Sequence, residues 1–397
     1  MSQLDRYDLS VRIWPGTGRV GVDARVARVV APGEEAVIRL AIHRSARISS
    51  LRARPELASW RLCPASPVPY APEASALELV PRRHLSCGQL VRFELAYQLQ
   101  LGVLEWGVNM VTPEWVEIGM YFPWFPLDVG YRRFEFAACV EVCEPGYSVG
   151  GNGRLTRHDG HWLLRGEQPD QDVVILAAPE LVTVGAGPVR VTYADQEHSG
   201  LVSGLMVTGR WLLERFGAWF GPAPGRHLQL VIAPREKGGG YARRSMVVMT
   251  PGGLAEPLAA FRWLAHEIAH LWWQRGDVTT WEDWLNESFA EYSSLLAVRE
   301  RHGDTAADEL LASLSHRAVN LPPVCGLDRR DDRAYRVLYA KGCVILHRLA
   351  ELIGERAMMQ MLRQANEREI ASTAELLRLL AELAGPAAAE LEAWLGL

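Results

Sequence analysis

What this chain of 397 residues lacks narrows its class before any motif is read. No stretch approaches the run of about 18 apolar residues that a membrane-spanning helix needs, so no span is expected. There is no basic excess. Lys and Arg number 42 against 47 Asp and Glu, a formal net charge of −5, which argues against a nucleic-acid-binding surface and leaves room only for a local basic pocket. The opening Met1-Ser2-Gln3-Leu4-Asp5-Arg6-Tyr7 has no basic stretch followed by an apolar run, so no secretion signal is read. Six cysteines (Cys63, Cys87, Cys139, Cys143, Cys325 and Cys343) are scattered without a C-x-x-C pair. Free thiols and a cytoplasmic location are the expectation. Internal repeats and low-complexity linkers are also missing.

The composition that remains is that of a globular protein. Hydrophobic residues at 49% and charged residues at 22% leave no case for disorder. The length suits two or three domains, at about 150 residues each.

The first 195 or so residues read as β-structure. Val91, Phe93, Leu95, Tyr97 and Leu99 alternate with Arg92, Glu94, Ala96, Gln98 and Gln100. Phe134, Phe136, Ala138, Val140 and Val142 repeat the pattern, and Ile38, Leu40 and Ile42 follow it more loosely. Period two marks strands with one buried face, and Pro145-Gly146 and Gly150 to Gly153 are expected in turns between them. Such strands without intervening helices predict an antiparallel sandwich-like domain over 1–198.

Near residue 199 the period changes. Leu201, Leu205, Leu212, Phe216 and Trp219 share a helical face that Gly221-Pro222 ends, and a short strand (Leu228, Leu230, Ile232) follows. From Pro257 onward helices dominate, including one opened by a capping box at Ser372 and Glu375. The second domain is placed at 199–397, giving an α+β chain.

The segment His266-Glu267-Ile268-Ala269-His270 is an H-E-x-x-H motif. Two histidines four apart on a helix share a face, so both imidazoles reach one zinc ion at about 2.0–2.1 Å. The glutamate between them can take the proton of an activated water. The apolar neighbours Ala265, Ile268, Ala269 and Leu271 bury this helix, where unpartnered histidines and a glutamate would be costly. A third ligand is needed. Glu287 and Glu291, one turn apart on a following helix, both qualify, and the other would support a ligand or be solvated.

At this point the chain resembles the aminopeptidase N and leukotriene-epoxide hydrolase family of gluzincin zinc metallopeptidases. That family follows H-E-x-x-H with a tryptophan-rich connection and W-L-N-E-G-F-A. Here Trp272, Trp273, Val278-Thr279 and Trp284-Leu285-Asn286-Glu287-Ser288-Phe289-Ala290 follow the motif, and Tyr339-Ala340-Lys341-Gly342 is similar to the family's Y-x-K-G. The resemblance implies a thermolysin-like, mainly helical catalytic domain and one zinc held by His266, His270 and Glu287. It also implies Glu267 as general base, Tyr339 as oxyanion stabiliser, and a peptide or protein substrate. Tyr7-Asp8-Leu9-Ser10-Val11-Arg12 looks like the start of the family's β-domain.

Three departures bear on function. Sixteen residues separate His270 from Glu287, two fewer than is usual in the family, so the connection is recut. The family's G-x-M-E-N strand, whose glutamate binds the substrate's free amine, is replaced by Gly238-Gly239-Gly240-Tyr241-Ala242-Arg243-Arg244-Ser245, which has no carboxylate. The resemblance is also to a short form without the family's large C-terminal helical domain. Gly239, Gly240, Tyr241 and Arg243 are the expected substrate-binding residues, with an edge strand pairing to an extended backbone. Arg243 and Arg244 are read either as carboxylate binders or as a solvated turn. Aminopeptidase action is the leading expectation. An endopeptidase or dedicated maturation protease, and a non-catalytic zinc-stabilised binding module, are the alternatives. No nucleic-acid or membrane partner is expected, and the oligomeric state is not indicated.

Overall fold

The alternating segments become strands with apolar residues inward. In Leu90–Gln100, Val91, Phe93, Leu95, Tyr97 and Leu99 are buried, and Arg92, Glu94, Gln98 and Gln100 are exposed. The computed structural model describes residues 4–104, 107–185, 187–223 and 227–396. The fold is α+β, with sheets followed by helices.

A seven-stranded sheet runs Arg154–His158, His161–Arg165, Phe134–Val142, Asp5–Trp14, Arg19–Val29, Leu90–Gln100, Arg47–Arg54. Its pairings are antiparallel except one: Asp5–Trp14 lies parallel to Phe134–Val142, with Asp5 opposite Phe134. The domain is antiparallel as expected apart from this one pairing. Period-two alternation fixes which face is buried but not which strand is the neighbour, and the long chain between these two permits a parallel return. Two four-stranded sheets accompany it. Gly150 and Gly151, expected in a turn, lie in the strand Ser148–Gly151. A Cβ on Gly151 would meet the Val174 carbonyl oxygen at 2.3 Å, so the glycine serves close strand packing there.

Contacts divide the chain into two compact units. The first takes residues up to Thr183 with Thr192–Glu197 and Ile232–Gly239; the second takes Val184–Val191, His198–Val231 and the chain from Gly240 onward. Within the first, Arg28 is almost fully buried between Asp128, Glu34 and Asp5, and Arg132 binds Asp128 and Asp5 at 3.1 Å each. Also in the first unit, the buried Arg235 donates to Glu117 at 3.0 Å and to the carbonyls of Lys237 and Gly239 at 2.9 Å each.

Helices dominate the second unit: α1 (Ser199–Phe220), α2 (Pro257–Ala269), α3 (Trp284–His302), α4 (Asp304–Ala318), the short α5 (Ala334–Arg336), α6 (Gly342–Ile353), α7 (Glu355–Glu367), α8 (Thr373–Ala384) and α9 (Ala387–Leu395). A five-stranded sheet precedes α2, with Tyr241–Arg243 at its edge beside Met246–Met249. The Ser372–Glu375 capping box is formed, and Gly385 caps the end of α8. Among the described residues, no helix is long and apolar enough to cross a membrane. All six cysteines are unbridged.

Candidate metal centre

Helix α2 starts where its sequence tells it to. Pro257 occupies the first turn, and the Glu256 carboxylate accepts from the backbone N–H groups of Leu258 and Ala259 at 3.3 and 2.6 Å. Three turns on, His266, Glu267 and His270 project from it, the first two buried. Helix α3 lies against α2 and carries Glu287 and Glu291. The connection between them is tied by the Asn286 side chain, which accepts from Gly276 N–H at 2.9 Å. It also donates to Gly276 O at 2.9 Å and to Asp283 Oδ1 at 2.8 Å. Asp283 in turn pairs with Arg329 at 2.8 Å. Burial and then the Glu287 charge push its pKa up to about 7, against the lowering pull of Arg329, Asn286 and His270.

Among the described residues, one group of His, Cys, Asp or Glu side chains fits a metal ion: His266, His270 and Glu287, whose ligand atoms lie within 4.8 Å of one another. Glu287 Oε2 stands 3.3 Å from His266 Nε2 and 3.5 Å from His270 Nε2. Bonds of about 2.0–2.1 Å at tetrahedral angles set ligand atoms about 3.4 Å apart, so the spacing suits a small divalent cation. Glu287 Oε2 is buried and, among the described residues, makes no hydrogen bond of good geometry, which is the condition of an atom awaiting a cation.

The outer nitrogens are already committed. His266 Nδ1 faces Glu291 Oε2 at 2.9 Å, and His270 Nδ1 faces the Trp273 carbonyl at 3.0 Å. With each Nδ1 turned to an acceptor, each Nε2 points to the shared centre. The two carboxylates that spacing left equivalent are thus separated: Glu287 meets both Nε2 atoms, and Glu291 backs His266 while also accepting from Arg262 Nε at 3.1 Å. Burial opposes charge on His266, yet Glu287 beside its Nε2, the hydrogen bond to Glu291 and the charges of Glu291 and Glu267 push its pKa up to about 10. Burial likewise opposes ionisation of Glu287, but the two histidines hold it well below the usual carboxylate range. The pocket is built for positive charge.

Tyr339 stacks on His266, ring centroids 5.1 Å apart, and on Tyr335 at 4.1 Å. It sits in a π-helical turn, Val337–Lys341, the kind of local insertion often found at functional sites. Burial, then the charge and hydrogen bond of Glu287, keep its phenol protonated far above neutral pH. Ser288 stands where the family pattern has glycine, and its hydroxyl donates to the Leu338 carbonyl at 2.6 Å. Gly342 makes this possible, since a Cβ there would lie 1.8 Å from Ser288 Oγ.

The expected substrate residues are distributed unevenly. Gly239 lies in the first unit, its carbonyl held by Arg235. Gly240, Tyr241 and Arg243 lie in the second, at the edge hairpin. Arg243 reaches back over the Tyr241 ring, 4.8 Å from its centroid, and donates to its neighbour's carbonyl at 2.8 Å. Two contacts went unread in the sequence. Trp263 Nε1 donates to Glu267 Oε1 at 3.1 Å, a pairing that the i, i+4 spacing could have suggested. The Ser288–Leu338 bond depends on the π-turn and had no sequence signal.

No protein-family model matches the chain. Among curated proteins it is 25% identical to mouse aminopeptidase B over 399 aligned positions, covering 86% of this chain and 58% of that relative. It is 28% identical to aminopeptidase N of Streptomyces lividans over 148 positions, covering 33% of this chain and 17% of that protein. The chain thus spans little more than half of the longer match. Among solved structures, an M1 zinc metallopeptidase from Deinococcus radiodurans bound to a Tyr-Ser-Ala substrate superposes with TM-score 0.77 at 21% identity, covering 99% of this chain and 94% of that one. Yeast leukotriene A4 hydrolase follows with TM-score 0.75 at 16% identity, covering 99% and 67%. In sequence and in fold, the chain is similar to the M1 aminopeptidase and leukotriene A4 hydrolase family of zinc metallopeptidases.

Proposed function

We propose that the chain is a zinc-dependent peptidase acting on peptides in the aminopeptidase manner. The observation that carries this reading is the convergence of His266 Nε2, His270 Nε2 and Glu287 Oε2 beside Glu267 on a buried helix pair. The three side chains would hold one zinc. Zinc bound there supplies Lewis acidity, lowering the pKa of a water and polarising the scissile carbonyl. Glu267 takes the water's proton and passes it to the leaving amine. Tyr339, which stays protonated, donates to the oxyanion of the tetrahedral species. Tyr241–Arg243 is the last strand of its sheet, the place where an extended substrate would add as a further strand. A cytoplasmic location belongs to the same reading, supported by six unbridged cysteines.

Endopeptidase action is the second reading, favoured by the absence of any carboxylate from Gly238 to Ser245. A cleavage profile on mixed peptides, half of them N-acetylated, with and without chelator, decides between the two. Chelator-sensitive loss of single residues from free N-termini supports the first. Internal cuts that tolerate acetylation overturn it in favour of the second. In Glu267→Gln, turnover should fall by about 10²–10⁴-fold with zinc content unchanged.

A further inference from the structure

Trp263 precedes Glu267 by one helical turn and donates its indole N–H to Glu267 Oε1 at 3.1 Å. The ring lies against two glycines from other segments. A Cβ on Gly240 would come within 2.3 Å of Trp263 Cζ2, and one on Gly253 within 1.9 Å of Cζ3. Neither glycine has a positive φ, so the backbone conformation does not demand glycine at either place. The indole does. Gly240 immediately precedes the edge strand Tyr241–Arg243, so the same ring joins that strand to the helix bearing the base.

We propose that Trp263 is a positioning residue for Glu267: wedged between Gly240 and Gly253, it holds one carboxylate oxygen through the indole N–H and leaves the other to receive the proton. The inference rests on the peptidase reading for its catalytic consequence, but the contact itself does not. A hydrogen bond from N–H to an ionised carboxylate is charge-assisted and directional. It restricts a side chain that would otherwise sample several rotamers, and general-base catalysis depends on that geometry. The wedge supplies what a surface indole would lack, since the ring cannot swing away without leaving a gap between two backbones.

Two variants and two readouts test this. Trp263→Phe keeps a ring in the wedge and removes the donor; Gly253→Ala, whose Cβ would meet only Trp263 atoms, keeps the donor and displaces the ring. Both are compared with the wild-type holoenzyme for zinc content, kcat and KM. Indole ¹H–¹⁵N spectra of the same proteins are recorded, with the Trp263 signal identified among 14 tryptophans by its loss in Trp263→Phe. The expectation is a fall in kcat of roughly tenfold or more in both variants, with KM nearly constant and zinc retained. The Trp263 indole signal should move in Glu267→Gln and in Gly253→Ala. Unchanged kcat in Trp263→Phe, or an indole signal indifferent to Glu267→Gln, overturns the proposal. A wild-type protein that cleaves no peptide overturns the peptidase reading and the catalytic half of this inference. The indole response then separately upholds or overturns the Trp263–Glu267 bond.

Discussion

Glu291 Oε2 stands 2.9 Å from His266 Nδ1, so a carboxylate on α3 orients an imidazole on α2 without facing the metal centre itself. Glu287, one turn earlier on the same helix, approaches both Nε2 atoms instead. Replacing the two should therefore give different defects. Glu291→Ala should weaken zinc binding by about 10–100-fold, as loss of an outer acceptor does. Glu287→Ala should sharply lower the zinc that survives purification. Zinc titration against a competing chelator, with metal analysis of the purified proteins, distinguishes the two. Unchanged zinc in Glu287→Ala would transfer the ligand role to Glu291.

Zinc binding should expel protons at neutral pH. The His266 pKa is raised from its ordinary value near 6.5 to about 10, and that of His270 is raised as well. A raised folded-state pKa stabilises the metal-free protein fully below the unfolded value and is lost as pH climbs through the folded one. Zinc needs the neutral imidazole, so displacing the His266 proton should make its affinity rise about tenfold per pH unit up to about pH 10, with a further rise from His270. Calorimetry in buffers of different ionisation enthalpy measures the release; no buffer dependence at pH 7 would contradict the charge state assigned to His266.

Tyr339→Phe removes a donor and little volume. It should lower kcat by about 10²–10³-fold and leave KM and zinc content close to wild type. Equal losses in kcat and zinc would make the tyrosine a structural neighbour of His266 rather than a partner of the reaction.

Gly342→Ala probes the seat of that tyrosine. The new Cβ would fall 1.8 Å from Ser288 Oγ and must push it off the Leu338 carbonyl. A loss of about 1–3 kcal/mol in denaturant unfolding is expected. With Ser288→Gly in the same chain the nearest remaining atom is the Val337 carbonyl oxygen at 3.7 Å, so the alanine should then be tolerated. Additive losses in that double variant would refute the clash.

How much of this could be read in the sequence depended on whether a feature was local. The alternation of Val91 to Leu99 announced a strand and its buried face, and the capping box at Ser372 announced a helix start. Both are decided within a few residues. The parallel pairing of Asp5–Trp14 with Phe134–Val142 was not legible, because period two is silent about neighbours. The same limit held at the site. His266 and Glu267 on α2 and His270 at its C-cap could be read from spacing, whereas Glu287 and Glu291 lie on one face of another helix and could not be ranked by it. The π-turn under Tyr339 is a tertiary adjustment, and nothing in Val337–Lys341 foretells it.

The first unit offers a prediction on stability. Arg28 and Arg132 stand among Asp5, Glu34 and Asp128, three carboxylates to two guanidiniums, with Arg28 almost wholly buried. Arg28→Ala should cost about 3–5 kcal/mol, since it strands buried acids. Arg28→Lys should recover little of it, because one ammonium cannot span the forked contacts to Asp128 and Glu34. Denaturant unfolding of the three proteins gives the answer, and a wild-type midpoint for Arg28→Ala would mean that the acids are protonated in the native state.

The Asn286 side chain matches its amide to the peptide group of Gly276 much as one strand matches its neighbour. The span between these two residues is thereby a closed loop whose ends are fixed to each other beside the helix that bears Glu287. Residues can be gained or lost inside such a loop while the distance across its neck stays constant. The recut connection between the second histidine and the glutamate is then a change of circumference rather than of reach, and loop length becomes free to vary without moving the ligand atoms.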